Sequence, residues 1–405
     1  MLKCILDSRF GGPHRRSYAI AERLRAEGID KIFLFGHKGG EPAPPGAAGS
    51  YYLKHLQFMR RRHAVLHLLG FLLFLPWNLI RVRRILRSAG IDIADVDGVT
   101  NLVPALAAAW SRVPIVWHYN DHLPGPIERL ILPLVARLST AVVVQGEQLK
   151  QKRTGSRPRL HAKTVVIYPG VDTQKFDPDE RKAGARRRVT EEWGVPLDGP
   201  LIGTIGNVNR FKGHVYFLRA AARIKQHIPT ARFVLVGRKL ETDLRCWEQL
   251  QQLTAELGLK NDVIYTGFRD DVPDVLAALD VFALCSIRES CPNVLLEAMA
   301  MRTPVVTTDV GAVGELVQPR ETAFVVPAGD AEAIAEAVLA CLNMPEDEVR
   351  RMTEAARKTV EDRFGIDTMA RRQLHVYQST RRASTPGAAD LRFGPRWEGE
   401  RNKER

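Results

Sequence analysis

The chain alternates short apolar runs with longer amphipathic stretches. In the first half, apolar runs typical of buried strands occupy residues 2–6, 31–35, 91–96, 114–118, 141–144 and 164–167. Helical patterns lie between several of them, with Tyr18, Ala21 and Leu24, for example, on one helical face. Strands that are apolar on both sides and separated by helices are typical of a parallel sheet covered on both faces.

The same rhythm begins again after a polar segment at residues 177–198. Apolar runs recur at residues 201–205, 232–236, 263–266, 281–284, 304–307 and 323–325. We therefore predict two doubly wound α/β domains, at residues 1–180 and 198–364, joined near 180–198. Residues 382–405 are polar without periodicity and predict a disordered tail, and the Gly- and Pro-rich residues 39–49 predict a flexible loop.

Composition and charge narrow the class of partner. The chain is 45% hydrophobic and 26% charged, which excludes collagen-like, coiled-coil and wholly disordered proteins. Its net charge of +13 points to nucleic acid, a phosphorylated ligand or an acidic membrane. The surplus lies in residues 1–180, with 26 basic and 15 acidic residues, against 33 and 31 in residues 181–405. Nucleic acid is not expected, because no recognisable module or basic pattern interleaved with aromatic residues is evident.

The cysteines and the N-terminal residues predict a cytoplasmic protein. The five cysteines have no metal-ligand spacing, so we expect reduced thiols and no metal site. Asp7 and Arg9 interrupt the apolar run that a signal peptide needs.

One apolar stretch, residues 60–87, has arginines on both sides and contains Trp77. It is too short and too polar for a transmembrane span. Two interpretations stay open: a segment that lies on an anionic membrane surface, or a buried helix with solvated ends.

The densest candidate chemistry follows the apolar run at 281–284. Glu289 is expected in a loop, and Glu297 inside the helix that follows it. Pro292 suits the first turn of that helix, with Ser290 or Cys291 as its cap. A carboxylate and a helix N-terminus at the carboxyl end of a parallel strand are typical of a phosphate-binding site.

Two more loops support this site. Residues 308–315 follow the next strand and contain Gly311, Gly314 and Glu315. The glycine-rich residues 203–213 include Arg210 and Lys212, two cations suited to a diphosphate. Successive strand-end loops with these residue types favour a ligand site over a solvated helix end.

At this point the chain resembles the retaining glycosyltransferases of family 4 over roughly residues 2–378. The resemblance rests on the E-x7-E pattern of Glu289 and Glu297, with weaker similarity at the Gly11-Gly12 loop, His118 and residues 168–172. It implies an α/β GT-B fold, in which two Rossmann-like domains face each other across a cleft. A C-terminal helix at about 365–380 is expected to pack back on the first domain.

The resemblance also implies roles for individual residues. Glu289 would lie against the donor sugar as a catalytic residue and Glu297 would hold the ribose hydroxyls. Arg210 and Lys212 would bind the diphosphate. The donor-binding segment after Glu289 comprises Ser290, Cys291, Pro292, Asn293 and Val294. Gly12 would approach the phosphates from the opposite domain, and His118 would contact the donor sugar as a second catalytic residue.

The predicted reaction is metal-independent, retaining transfer of a hexosyl group without a cofactor. The donor is a nucleotide-diphosphate-sugar such as a UDP-sugar, and the acceptor a lipid-linked or anionic glycan of lipopolysaccharide or polysaccharide biosynthesis. The first domain would contact an anionic membrane at the inner face of the plasma membrane. Two alternatives stay open: a nucleotide-sugar epimerase or hydrolase of the same fold, and a noncatalytic sugar-binding protein on the membrane surface.

Overall fold

The chain forms two compact α/β units. The computed structural model describes residues 1–5, 12–36, 46–54, 56, 64–120, 125–194, 199–240 and 243–383. One unit comprises Met1–Tyr168 with Met369–Arg405, and the other comprises Pro169–Thr368.

The first unit is built on a seven-stranded parallel sheet. Its strands are β1 (Leu2–Ile5), β2 (Lys31–Phe35), β3 (Ala47–Tyr52), β4 (Ala94–Asp97), β5 (Ile115–His118), β6 (Ala141–Val144) and β7 (Thr164–Val166). They lie in the order β3-β2-β1-β4-β5-β6-β7 and pair in parallel. The strand order reverses between β1 and β4, which directs the crossover helices to both faces of the sheet.

Helices complete this unit. They are α1 (Gly12–Ala19), α2 (Ala21–Ala26), α3 (Ala64–Ser88), α4 (Leu102–Trp110), α5 (Gly125–Leu138), α6 (Glu147–Thr154) and α7 (Pro158–Ala162). Their apolar faces and the sheet enclose a core that includes Val96, Trp117 and Val142.

The second unit repeats the plan with six parallel strands. They are β8 (Leu201–Ile205), β9 (Arg232–Val236), β10 (Val263–Gly267), β11 (Val281–Leu284), β12 (Val305–Thr308) and β13 (Phe324–Val326). Their order is β10-β9-β8-β11-β12-β13, so the strand order reverses between β8 and β11. Ligands of such sheets bind at the carboxyl ends of the strands where the order reverses.

The helices of the second unit alternate with these strands. They are α8 (Pro178–Trp193), α9 (His214–His227), α10 (Leu244–Glu256), α11 (Val272–Ala278), α12 (Asn293–Ala300), α13 (Val313–Leu316), α14 (Ala331–Leu342) and α15 (Glu346–Arg363). A last helix, α16 (Ile366–Ala383), belongs from Met369 onward to the first unit. Its Tyr377 donates a hydrogen bond to Asp95 Oδ2.

The predicted class, two doubly wound parallel α/β sheets, is confirmed, but the boundary at residue 180 is wrong. The first unit ends at Tyr168, because Val171 already pairs with the second unit: its amide donates to Phe364 O at 2.8 Å. The polar segment 177–198 is not a linker either. Most of it is α8, whose arginines bind acidic residues of the second unit, as in Arg186–Asp280 at 2.6 Å.

Two expectations about irregular segments also change. Residues 47–49, expected in a flexible loop, begin β3, which among the described strands bonds to β2 alone and lies at the edge of the sheet. Residues 37–45 lie outside the described residues. Residues 382 and 383 end α16, so the part of the predicted tail that the structure describes is helical, and 384–405 lie outside the described residues.

The arginine-flanked stretch is largely α3. Its residues Phe71, Val82 and Ile85 are buried in the core of the first unit. Among the helices that the structure describes, none combines the length and the apolar character needed to cross a membrane.

Candidate functional site

The glycine-rich loop after β8 is held close to its neighbours. A Cβ on Gly237 would lie 2.0 Å from Gly206 O, so the backbones after β8 and β9 approach each other too closely for a side chain. Gly213 precedes α9 with φ +66°, and a Cβ there would lie 1.8 Å from Cys285 O. Glycine at both positions brings the β8 loop against the end of β11.

Hydrogen bonds join this loop to the loop after β11. The Ile287 amide donates to Phe211 O at 2.9 Å. Thr308 Oγ1, at the end of β12, donates to Ser286 O at 2.6 Å. The loops after β8, β11 and β12 therefore form one connected rim on the second unit.

Glu289 and Lys212 meet on this rim. Lys212 Nζ donates to Glu289 Oε1 at 2.6 Å, and Ser286 Oγ donates to the same oxygen at 2.8 Å. The side chains of Glu289 and Lys212 are 13% and 24% exposed. The pair is thus largely shielded from water yet open on one side, a setting in which a charge acts strongly on a bound group.

The helix after Glu289 begins one residue later than predicted. Pro292 is its N-cap, with extended backbone and no capping hydrogen bond, and Asn293 is its first residue. Ser290 and Cys291 are therefore not the cap. The carbonyl of Ser290 instead accepts from the Ala312 amide at 3.0 Å, which ties the loop to the end of β12.

The remaining donor-binding candidates lie on or beside this helix. Val294 and Glu297 belong to α12, where Glu297 is partly buried. Gly311, with φ +59°, comes so close that a Cβ would lie 2.4 Å from Glu289 O. This contact fixes the loop that carries Glu289.

Arginines follow three neighbouring strands of this sheet, Arg210 after β8, Arg238 after β9 and Arg288 after β11. The guanidinium of Arg210 lies 4.7 Å from the centre of the Phe211 ring, and that of Arg288 lies 5.7 Å from the same ring. Arg238, after β9, stacks at 4.0 Å on the half-exposed Phe268. Together with Lys212, these arginines are cations of the kind that binds a diphosphate.

His214, the first residue of α9, adds no positive charge at neutral pH. Burial and the nearby Lys212 charge lower its pKa to about 3. The cations available to an anionic ligand are therefore the lysine and the arginines.

Sequence reasoning missed Ser286 and Arg238. Ser286 has a local sequence signal, since it lies three residues before Glu289 in the same loop. Arg238 follows β9 at the same sheet edge, and a rule that inspects every strand end beside the glycine-rich loop would have found it.

The candidates in the first unit lie at its own strand ends. His118 ends β5 and is 2% exposed. Its Nε2 lies 2.9 Å from Asp95 Oδ1, and its Nδ1 lies 3.8 Å from Asp97 Oδ1. Lys3 Nζ contacts both carboxylates at 2.9 Å. Sequence reasoning did not predict this cluster.

The electrostatics of the cluster favour a neutral histidine. Burial, followed by the Lys3 charge, lowers the pKa of His118 despite its two carboxylate neighbours. Lys3 and His118 in turn hold the pKa of Asp95 well below its ordinary value, against the effect of burial. Gly12 is the first residue of α1, and Gly11 lies outside the described residues.

Within the ranges that the structure describes, no group of three or more His, Cys, Asp and Glu side chains could hold a metal ion. The expected independence from metal stays a prediction.

Both halves of the chain match known protein families. The family model "Glycosyltransferase Family 4" matches residues 10–175, and "Glycosyl transferases group 1" matches residues 199–344. A D-inositol 3-phosphate glycosyltransferase of Corynebacterium urealyticum is 31% identical over 235 residues, which cover 56% of this chain and 54% of that protein. The lipopolysaccharide core mannosyltransferase LpsB of Rhizobium meliloti is 28% identical over 62% of this chain and 68% of its own length.

These alignments span about half to two thirds of the relatives. Among solved structures, HepE of Anabaena in complex with UDP and glucose superposes with a TM-score of 0.78 at 22% identity. It covers 93% of this chain and 99% of that one. The two family models, one on each half of the chain, agree with the two doubly wound sheets, and the chain belongs to the family 4 glycosyltransferases with the GT-B fold.

Proposed function

We propose that this chain is a retaining hexosyltransferase that uses a nucleotide-diphosphate-sugar and a lipid-linked or anionic glycan of the cell envelope. The observation that carries the proposal is the Glu289–Lys212 pair, 2.6 Å apart where the second sheet reverses its strand order. A carboxylate suits the positive charge that develops on a sugar ring, and an ammonium suits a departing diphosphate.

The donor is held mainly by the second unit. Lys212 and Arg210 bind the diphosphate, together with the backbone amides at the start of α12, where the helix dipole favours an anion. Glu297 binds the ribose hydroxyls. A UDP-sugar is the donor we favour, because the structure of HepE, which has the same fold, contains UDP and glucose.

Transfer then needs charge stabilisation more than acid–base chemistry. The acceptor oxygen attacks the anomeric carbon on the face from which the diphosphate leaves, so the configuration is retained. The bond to the donor phosphate breaks with its electron pair on that phosphate, one of whose oxygens takes the acceptor proton. Lys212 and Arg210 stabilise the leaving charge, and we propose that no metal ion is needed.

The first unit contributes the acceptor side. We assign His118 to the donor sugar and Gly12 to the approach to the phosphates, as the family resemblance implies. The basic surplus of residues 1–180 suits an anionic acceptor. The name of the relative LpsB, a lipopolysaccharide core mannosyltransferase, favours an acceptor of lipopolysaccharide or a related polysaccharide. We propose that transfer takes place at the inner face of the plasma membrane.

A donor screen with the full chain tests this function. Thermal unfolding is followed with UDP and GDP and with their common hexose conjugates, since a ligand that binds the folded state raises the midpoint. The stabilising donor is then incubated with a bacterial lipid extract, and the glycosylated product is analysed by NMR for its anomeric configuration.

The outcomes separate the alternatives. The proposal expects acceptor-dependent product with the donor's own anomeric configuration. Rapid conversion of the donor alone would show an epimerase or hydrolase, and an inverted product would overturn the retaining mechanism. Donor binding without any turnover in acceptors from several envelopes would support a noncatalytic sugar-binding protein.

A further inference from the structure

Helix α3 has a well-anchored inner face. Phe71, Val82 and Ile85 recur at helical spacing and are buried in the core of the first unit. Asn78, between them, is 3% exposed and donates to Lys54 O at 3.0 Å. The inner face therefore holds the helix to the first unit.

The opposite face of α3 is apolar and exposed. Leu73 is 75% exposed, Trp77 60% and Leu69 57%. We name this surface the α3 apolar face; it comprises Leu69, Leu72, Leu73, Trp77 and Ile80. These positions follow the helical period, so they form one stripe of about 18 Å at 1.5 Å per residue. A solvent-facing helix surface is normally polar, and a continuous apolar one marks a contact site.

Positive charge continues the stripe. Arg81, Arg84 and Arg87 follow it on the same helix and are exposed. Arg83 stacks at 4.1 Å on Trp110, which is itself half-exposed on the adjoining helix α4. Between positions 42 and 91 the chain has eight Lys or Arg and no Asp or Glu.

We propose that the α3 apolar face docks on an anionic lipid bilayer, with the helix lying in the plane of the interface. Its leucines and Trp77 enter the boundary between headgroups and acyl chains, and the arginines contact anionic headgroups. Lipid suits the surface better than a second copy of the chain does, because the stretch offers no acidic residue to pair with the partner's arginines. The inference does not depend on sugar transfer.

Both parts of the surface are required for binding. One apolar contact of this kind binds a membrane reversibly, and a second, electrostatic contact makes the attachment stable. Each arginine near an anionic surface contributes about five-fold in affinity at low salt, and the contribution falls as salt screens it.

Vesicle flotation with the full-length protein tests the proposal. Vesicles of equal parts phosphatidylglycerol and phosphatidylcholine are compared with pure phosphatidylcholine, at about 0.05 M and about 0.5 M salt. One variant combines L72N, L73N and W77S. A second combines R81Q, R84Q and R87Q.

Each variant has a control in the second unit: a single exposed apolar position for the first and a charge-matched triple for the second. L244N changes an exposed leucine on α10, and a combination of R187Q, K260Q and R350Q removes the same charge from other exposed positions. Thermal unfolding and nucleotide binding verify that every variant is folded.

The wild type and both controls are expected to float with anionic vesicles at low salt. The apolar variant is expected to lose at least ten-fold in binding, and the arginine variant its preference for anionic lipid. The proposal is overturned if the wild type ignores anionic vesicles, or if the apolar variant binds them as well as the wild type does. It is also overturned if sedimentation shows a dimer that the apolar variant dissociates while vesicle binding is unchanged.

Discussion

Replacing Glu289 by glutamine separates stabilisation of the charge on the sugar from binding of the diphosphate. The substitution removes the negative charge of the side chain and keeps its shape. In the wild type, Glu289 Oε1 accepts from Lys212 Nζ at 2.6 Å and from Ser286 Oγ at 2.8 Å. A glutamine carbonyl can accept both bonds. Lys212 then loses its ionic partner and is free to direct its whole charge to a diphosphate.

The magnitudes follow from the geometry. A hydrogen bond to a charged group contributes about 1.5–3 kcal/mol and a neutral one about 1 kcal/mol, so E289Q should lower the free energy of unfolding by only about 1–2 kcal/mol. Loss of the carboxylate also removes its repulsion from a bound diphosphate. We expect nucleotide affinity to stay the same or to rise by up to about ten-fold, which corresponds to 1.4 kcal/mol. Turnover should fall by about 10²- to 10³-fold, as when a preorganised charge is lost.

Calorimetric titration of the nucleotide and single-turnover transfer measure the two effects separately. The companion variant K212M should weaken nucleotide binding by about ten-fold or more, because it removes a charged donor. E321Q, at an exposed glutamate of the same unit, is the control and should behave as wild type. If E289Q loses nucleotide affinity and turnover in parallel, Lys212 is not shared between carboxylate and diphosphate, and the reasoning is refuted.

Three further predictions concern the fold around the two sheets. G213A should lower the free energy of unfolding by about 2 kcal/mol or more, because φ is +66° and the new Cβ would lie 1.8 Å from Cys285 O; urea unfolding measures this, and an unchanged midpoint would contradict the close approach. Y377F should cost about 1–3 kcal/mol in the same assay, since it removes a donor to the buried carboxylate of Asp95; wild-type stability would show that this bond does not hold α16. The pKa of His214 is about 3 in the folded state and 6.5 in the reference state, so the unfolded chain binds the proton first and stability falls as the pH drops below 6.5. Its contribution is about 1.4 kcal/mol per pH unit, and H214L should reduce the difference in unfolding free energy between pH 7 and pH 5 accordingly; equal pH dependence in both proteins would contradict a buried neutral histidine.

The sheets were predictable because buried parallel strands are continuous apolar runs. Residues 31–35 and 201–205 were assigned with the bounds that the structure gives to β2 and β8. Strand β3 was missed, because it is an edge strand of the described sheet and its small and half-exposed residues carry no such run. Helix α8 was missed as a packed element for a different reason: it buries few apolar residues, such as Ala185 and Val189, and ion pairs as between Arg186 and Asp280 add to their hold, which an apolar pattern cannot show.

The site was predictable as a set of strand ends but not as a set of contacts. Glu289 and Lys212 are 77 residues apart, and no spacing rule relates them. Their meeting depends on the strand order, which places β11 beside β8, and on Gly213, which lets the two loops touch. Strand order is a tertiary property, so the sequence indicates which loops carry chemistry and leaves open which of them share a ligand.

The buried charges of the first sheet show where a sequence rule can be extended. Lys3 lies inside an apolar strand, and its register partner on the neighbouring strand is Asp95. Asp97 is likewise the register partner of His118. An unpaired charge costs far too much to bury, so each charge in a buried strand requires an opposite one within reach. Because parallel neighbours stand side by side, that partner is to be sought on an adjacent strand, and a charge inside an apolar run is therefore evidence about strand pairing.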